Sequence, residues 1–327
     1  NSQKYLYCSM IKFVGNTLLF LLISTIANAQ TFLADRYEAT KADHSVQFIL
    51  PTDLHANAWS NEAQPIFWKQ VMRLSPDSLL VNIAATRQIV DRIGLKKWHE
   101  RTEEGKQGYR DSIREIYGLD STARIFFTNG KNNFYRFDLV MQQLTRGIEL
   151  FEEYNTDPWY AQAILLIESP GQLKKSVAGA YGAFQLMPGV ARNQGLVVNK
   201  SRDERADFDR SAYGAARLLR TICIPEARKI LNGKGIQYNE QDMWFRLFVL
   251  HIYHAGAGNV AAVMNAIAPI EGGKDLIKQM WVTSAGNFGN NSQNYTQLAL
   301  AATLILEEII KSDYAQIYSC MIDERMN

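Results

Sequence analysis

Apolar residues return at intervals of three and four along most of the chain. Ile66, Phe67, Val71 and Met72 do so, as do Leu79, Leu80, Ile83, Ile89, Val90 and Ile93, a spacing that gathers them on helix faces. Between these runs, Ser75-Pro76-Asp77 reads as a stop and restart, with Ser75 as N-cap and Pro76 at the first helical position, where no amide hydrogen is needed. Lys96 to Tyr117 is more charged and predicts a partly exposed helix. Helical periodicity returns from Phe137 to Tyr154. Asp157-Pro158 then opens a sharply bounded helix, because Asp caps free amides and Pro occupies a site that needs none. Trp159, Ala163, Leu166 and Ile167 form its apolar side, and Pro170-Gly171 must end it, which leaves Glu168 in the last turn.

The helical pattern breaks in three places. From Arg124 to Phe137, apolar β-formers flank Asn129-Gly130, two residues that tolerate the positive φ of a type I′ turn, so a short β-hairpin is predicted here. Its aromatic residues are expected to pack on neighbouring helices or to line a groove. Residues 31–56 lack apolar periodicity and read as an extended lead-in. The first 29 residues read as a secretory signal peptide: Lys12, an apolar run from Leu18 to Ile26 that is too short to span a bilayer, then the small residues Ala27-Asn28-Ala29. Met10 is the expected start, and an uncleaved N-terminal anchor is the alternative. The expected organisation is therefore a signal at 1–29, a helical accessory domain at 30–150, a second helical domain at 151–312 and a tail at 313–327.

Composition narrows the function. In 327 residues, 35 basic and 33 acidic side chains give a net charge of +2, which provides no broad positive field for nucleic acid. A hydrophobic share of 47% suits ordinary buried cores. Export would remove Cys8 and leave Cys223 and Cys320, which can form one disulfide, although the apolar stretch Leu218 to Ile224 favours a buried free thiol at Cys223. There is no CxxC, and His251 and His254 lack an HExxH pattern, so neither a metal nor another cofactor is expected.

A carboxyl in the last turn of an apolar helix faces the negative end of the helix dipole in poorly hydrating surroundings. Both disfavour its charged form. Glu168 therefore has the character of a general acid, able to hold a proton near neutral pH and deliver it to a leaving oxygen. The residues after it carry a more specific signal: Glu168-Ser169, Ser176, Gly179-Ala180-Tyr181-Gly182, Ala183-Phe184, Gln185, Leu186-Met187 and Pro188. This order resembles the lytic transglycosylases, whose catalytic domain is related to goose-type lysozyme. A second block, Tyr253-His254-Ala255-Gly256-Ala257-Gly258-Asn259-Val260, is similar to that family's Ala-Tyr-Asn-Ala-Gly-x-Gly-x-Val segment, and Asn294-Tyr295 to the Asn-Tyr that closes its groove. The resemblance spans residues 150 to 310 and does not reach the N-terminal region.

The resemblance implies a mainly α, lysozyme-like catalytic domain acting on peptidoglycan glycan strands in the cell envelope. It implies cleavage of the β-1,4 bond between N-acetylmuramic acid and N-acetylglucosamine with formation of a 1,6-anhydro ring, Glu168 serving as acid and then base. It places Tyr253 beside Glu168 to hold the carboxyl, and makes Ser176, Tyr181, Gln185, Tyr253 and Tyr295 the expected substrate contacts. Cell-wall assembly proteins are candidate partners. Three positions depart from the pattern: the loop from Glu168 to Gly179 is one residue shorter than usual, His254 replaces an Asn, and Arg210-Ser211 stand where relatives carry Asn-Ile. The alternatives are a hydrolase in which Asp203, Asp207 or Asp209 activates water, and an inactive wall-binding protein. From the residues alone, the glycines read as tight turns, Leu186 and Met187 as core, and Gln185 as bonded to a sugar group or a backbone carbonyl.

Overall fold

A computed structural model describes residues 36–41, 44–168, 175–313 and 316–319. The expected signal peptide, the shortened stretch at Gly171 and Cys320 lie outside these residues. The fold is mainly helical, as expected, with two small antiparallel sheets. Among the described residues, no helix is long and apolar enough to cross a membrane.

The first sheet corrects both the extended lead-in and the tail. Strands β1 (Arg36–Lys41) and β2 (His44–Ile49) form a hairpin, and β6 (Gln316–Ser319) pairs with β1, giving the order β2-β1-β6. Chain segments expected to be irregular thus close one sheet from opposite ends of the sequence.

The second sheet overturns two further expectations. Residues expected to continue a helix instead form β3 (Ser78–Ile83) and β4 (Ile89–Gly94), so Ser75-Pro76-Asp77 ends the helix α1 (Ala63–Arg73) but starts no new one. The physical reason is burial on both faces of β3. Leu80 joins Phe67 and Val71 of α1 and Leu74 just after it, whereas Val81 and Ile83 join Ile113 of α2 (Glu103–Ile116). A strand covered on both sides is a continuous apolar run whose spacing imitates a helix. The hairpin at Asn129-Gly130 does not form either. Residues Ile125–Asn129 make a single strand, β5, whose partner is β3, with Leu79 opposite Asn129, so the sheet order is β4-β3-β5. Gly130 is needed here for close approach, since a Cβ on it would collide with the Ser75 carbonyl oxygen.

The main core runs from Ala39 in β1 to Ile310 and takes in α3 (Phe137–Glu153), α4 (Pro158–Glu168), α5 (Phe208–Leu218), α6 (Met243–Ala255), α7 (Ala257–Ile267) and α8 (Asn290–Asp313). The expected division at residue 150 falls inside α3 and does not separate two cores. Gln162, buried in α4, shows how closely the parts are joined. Its amide nitrogen donates to the Ile49 carbonyl at 2.7 Å and its oxygen accepts from the Ile49 amide at 2.8 Å, extending the edge of β2. Trp68 of α1 likewise donates to Gln297 of α8 at 3.0 Å. Cys223 is a buried free thiol.

Candidate active site

Helix α4 begins at Pro158 and ends at Glu168, the bounds its local signals predict. Asp157 accepts from the Trp159 amide at 2.9 Å through one oxygen and from Arg246 Nε at 2.8 Å through the other. Every residue from Pro158 to Ile167 is buried, so the helix runs through the core and releases one carboxyl at its C-terminal end. Glu168 itself keeps some surface accessible.

Burial pushes the Glu168 carboxyl from 4.5 up to about 7, and the Tyr295 hydroxyl pulls in the opposite direction. No other carboxylate acts on it among the described residues. Tyr135, Tyr253 and Tyr295 are each raised chiefly by burial and secondly by the charge of Glu168, so three buried phenols from three parts of the chain lie within reach of its charge. The Tyr295 Oη is fully buried beside Glu168 and has no other partner among the described residues. Tyr253 differs from expectation: its hydroxyl donates to the Phe184 carbonyl at 2.7 Å and so ties α6 to the glycine loop. Tyr135 is a site residue that the sequence does not single out. Only its place among the aromatics after β5 hints at it.

The glycine loop is a closed turn. Tyr181 and Leu186 exchange both backbone hydrogen bonds at 3.1 Å, and between them Gly182 and Gln185 adopt positive φ, 86° and 46°. Gln185 Nε2 donates to the Gly182 carbonyl at 3.0 Å, so the backbone alternative holds for this contact. A Cβ on Gly182 would collide with the Arg205 carbonyl oxygen. Arg205, fully buried, escapes sequence reasoning because nothing local marks it. Its guanidinium donates to the Gly179 and Leu186 carbonyls at 2.9 and 2.8 Å, pairs with Asp203 at 2.7 Å, and lies over the Tyr181 ring. Ser176 is exposed and its hydroxyl accepts from the Ala180 amide at 2.9 Å. Leu186 is core, but Met187 is 41% exposed, contrary to expectation, because it precedes the helix starting at Pro188.

His254 stacks on Tyr295 with ring centroids 4.3 Å apart, and burial lowers its pKa, so it is neutral at pH 7. His251 is pushed down to about 3 by burial and meets Thr296 Oγ1 at 3.0 Å, pinning α6 to α8. The three aspartates considered as a second acid are committed elsewhere. Asp203 pairs with Arg205, Asp207 accepts from the Arg210 amide at the start of α5, and Asp209 pairs with Arg146 at 2.6 Å.

A carboxyl protonated near neutrality, close to buried phenols and delivered by a buried helix, has the character of a general acid. Residues 148–266 match the family model described as Transglycosylase SLT domain, so this segment is similar to the lysozyme-like domain of lytic transglycosylases. Among curated proteins, none matches the chain. Tyr135 and Tyr295 both lie outside the matched segment, one on each side.

Proposed function

We propose that the protein is a peptidoglycan lytic transglycosylase of the cell envelope, with Glu168 as its single acid and base. The observation that carries this reading is the Glu168 carboxyl, half-protonated at about pH 7, flanked by Tyr295 and solitary among the described residues. Its proton passes to the glycosidic oxygen between N-acetylmuramic acid and N-acetylglucosamine, and the bond from that oxygen to C1 breaks. The acetamido oxygen of the muramic residue covers the positive charge at C1. Glu168, now a carboxylate, takes the proton of the C6 hydroxyl, and O6 bonds to C1 to close the 1,6-anhydro ring. Glu168 regains its proton and no water is consumed. One carboxyl suffices, unlike the paired carboxylates of most glycosidases.

The glycine loop supplies the expected substrate contacts. Ser176 keeps a hydroxyl proton to donate, Tyr181 offers a ring backed by Arg205, and Gln185 is partly exposed in the turn. Tyr295 acts on the acid, and Tyr253 holds the glycine loop through the Phe184 carbonyl. Mass spectrometry of products from purified peptidoglycan tests the reading: anhydro-muramic ends are expected. Reducing muramic ends alone would establish a hydrolase instead. Glu168→Gln is expected to abolish lysis while retaining glycan binding, and unchanged lysis would remove Glu168 from the mechanism.

A further inference from the structure

A cavity of about 930 Å³ lies between the second sheet, α1 and α8, and Glu168 is not among the residues lining it. Three of its lining residues are cations, Arg87, Arg124 and Lys131, and none is acidic. Among the described residues, none of the three is held in an ion pair. This is a strong local departure for a chain with net charge +2.

Arg87 is the most unusual of the three. It sits in the β3–β4 turn with φ of 59°, a conformation that favours glycine or asparagine, yet the position carries a long cation. The side chain is 9% exposed, packs against the rings of Phe67, Trp68 and Phe126, and donates to the Asn294 amide oxygen at 2.9 Å. Buried charges are ordinarily paired. Here the guanidinium is surrounded by rings and amides, and the counter-charge is left for a ligand to provide. Gln293, Asn294 and Gln297 line the same wall from α8, and Tyr295, one residue on from Asn294, lies against Glu168. The cavity and the candidate active site therefore share one turn of one helix.

We infer that this cleft is a second binding site for a carboxylate-bearing ligand, and that its occupant is the acidic stem peptide carried by the glycan strand being cleaved. The identity of the occupant rests on the transglycosylase reading; the anionic character rests on the three cations alone. Peptide backbone and sugar hydroxyls suit the amide-rich wall, and carboxylates suit the cations through charge-assisted hydrogen bonds. The second sheet thereby acquires a role, selecting peptide-substituted strands.

Calorimetric titration of Glu168→Gln protein, which is expected not to turn its ligand over, with a disaccharide carrying an acidic tetrapeptide and with the same disaccharide stripped of peptide tests this. The peptide-bearing ligand is expected to bind about tenfold more tightly, the scale of one charge-assisted contact. Adding Arg124→Gln and Lys131→Gln, both exposed positions that should leave the melting temperature near native, is expected to erase the difference while binding of the stripped disaccharide persists. Equal affinities for the two ligands, or a preference that survives the double substitution, would overturn the proposal. Product analysis of the wild-type protein is read separately. Anhydro products without peptide preference remove the cleft proposal only, and peptide preference without anhydro products removes only the catalytic reading.

Discussion

Glu168 carries two pH dependences of the same sign from one cause. Burial holds its carboxyl neutral up to about pH 7, whereas in the unfolded chain it ionises near 4.5. Between these values the unfolded chain has released a proton that the native state still binds, so stability falls as pH rises. The contribution is complete below about 4.5 and lost by the time pH passes 7. At most about 3 kcal/mol is involved, because the side chain is partly solvated. Glu168→Gln is therefore expected to raise the melting temperature at about pH 8 and to flatten its decline between about pH 5 and 8, read by thermal denaturation. The lytic rate should fall as pH passes through about 7, since the first step needs the protonated acid. Tyr295→Phe tests the phenol beside it: without the hydroxyl that lowers the Glu168 pKa, the alkaline limb of the rate profile should move to higher pH. An unmoved limb with a uniformly lower rate would assign Tyr295 a packing role alone.

Among the elements, the glycine loop and α4 differ in how much of their structure is local. The bounds of helix α4 are legible in its own sequence: Asp157 caps it and Pro158 begins it. The loop from Ser176 to Leu186 is legible as a set of glycines, but not as a turn bolted from beneath by Arg205, since that clamp comes from a segment with no marker of its own. Gly182→Ala is expected to cost about 1–3 kcal/mol for its positive φ, and more through the clash with Arg205. Chemical denaturation measures the loss, and lysis should fall further than stability explains because Tyr253 is anchored on the displaced loop. The strands β3 and β4 escape the sequence pattern for a different reason. Strand β3, packed between α1 and α2, presents apolar groups on both faces, and no period distinguishes it from a helix.

For the molecule as a whole, residues of β1, β2 and α1 share the main core with the helix that carries Glu168, while the second sheet packs in smaller clusters of its own. Ile49 completes its hydrogen bonds through Gln162 of α4, Gln47 donates to Thr145 of α3 at 3.0 Å, and Lys69 pairs with Glu308 of α8 at 2.6 Å. A chain beginning at residue 137 would leave Gln162 buried without partners and expose the faces that Phe48, Ile49 and Trp59 cover. It is expected to lose near-ultraviolet circular dichroism and lysis together. A folded, active fragment would show the division at residue 150 to be real.

By itself, the sequence determined the capped helix, the acid at its end, the glycine spacing of the loop and the mainly helical class. Each of these is written within a few residues, by caps, turns and the dipole of one helix. Tertiary structure alone decided which groups surround Glu168. Tyr135, before α3, Tyr253 on α6 and Tyr295 on α8 come from distant segments and approach Glu168 only because these segments pack around the core that holds α4. It also decided that Arg87 would be buried without a carboxylate, a fact about the space between a sheet and two helices that no spacing along the chain encodes.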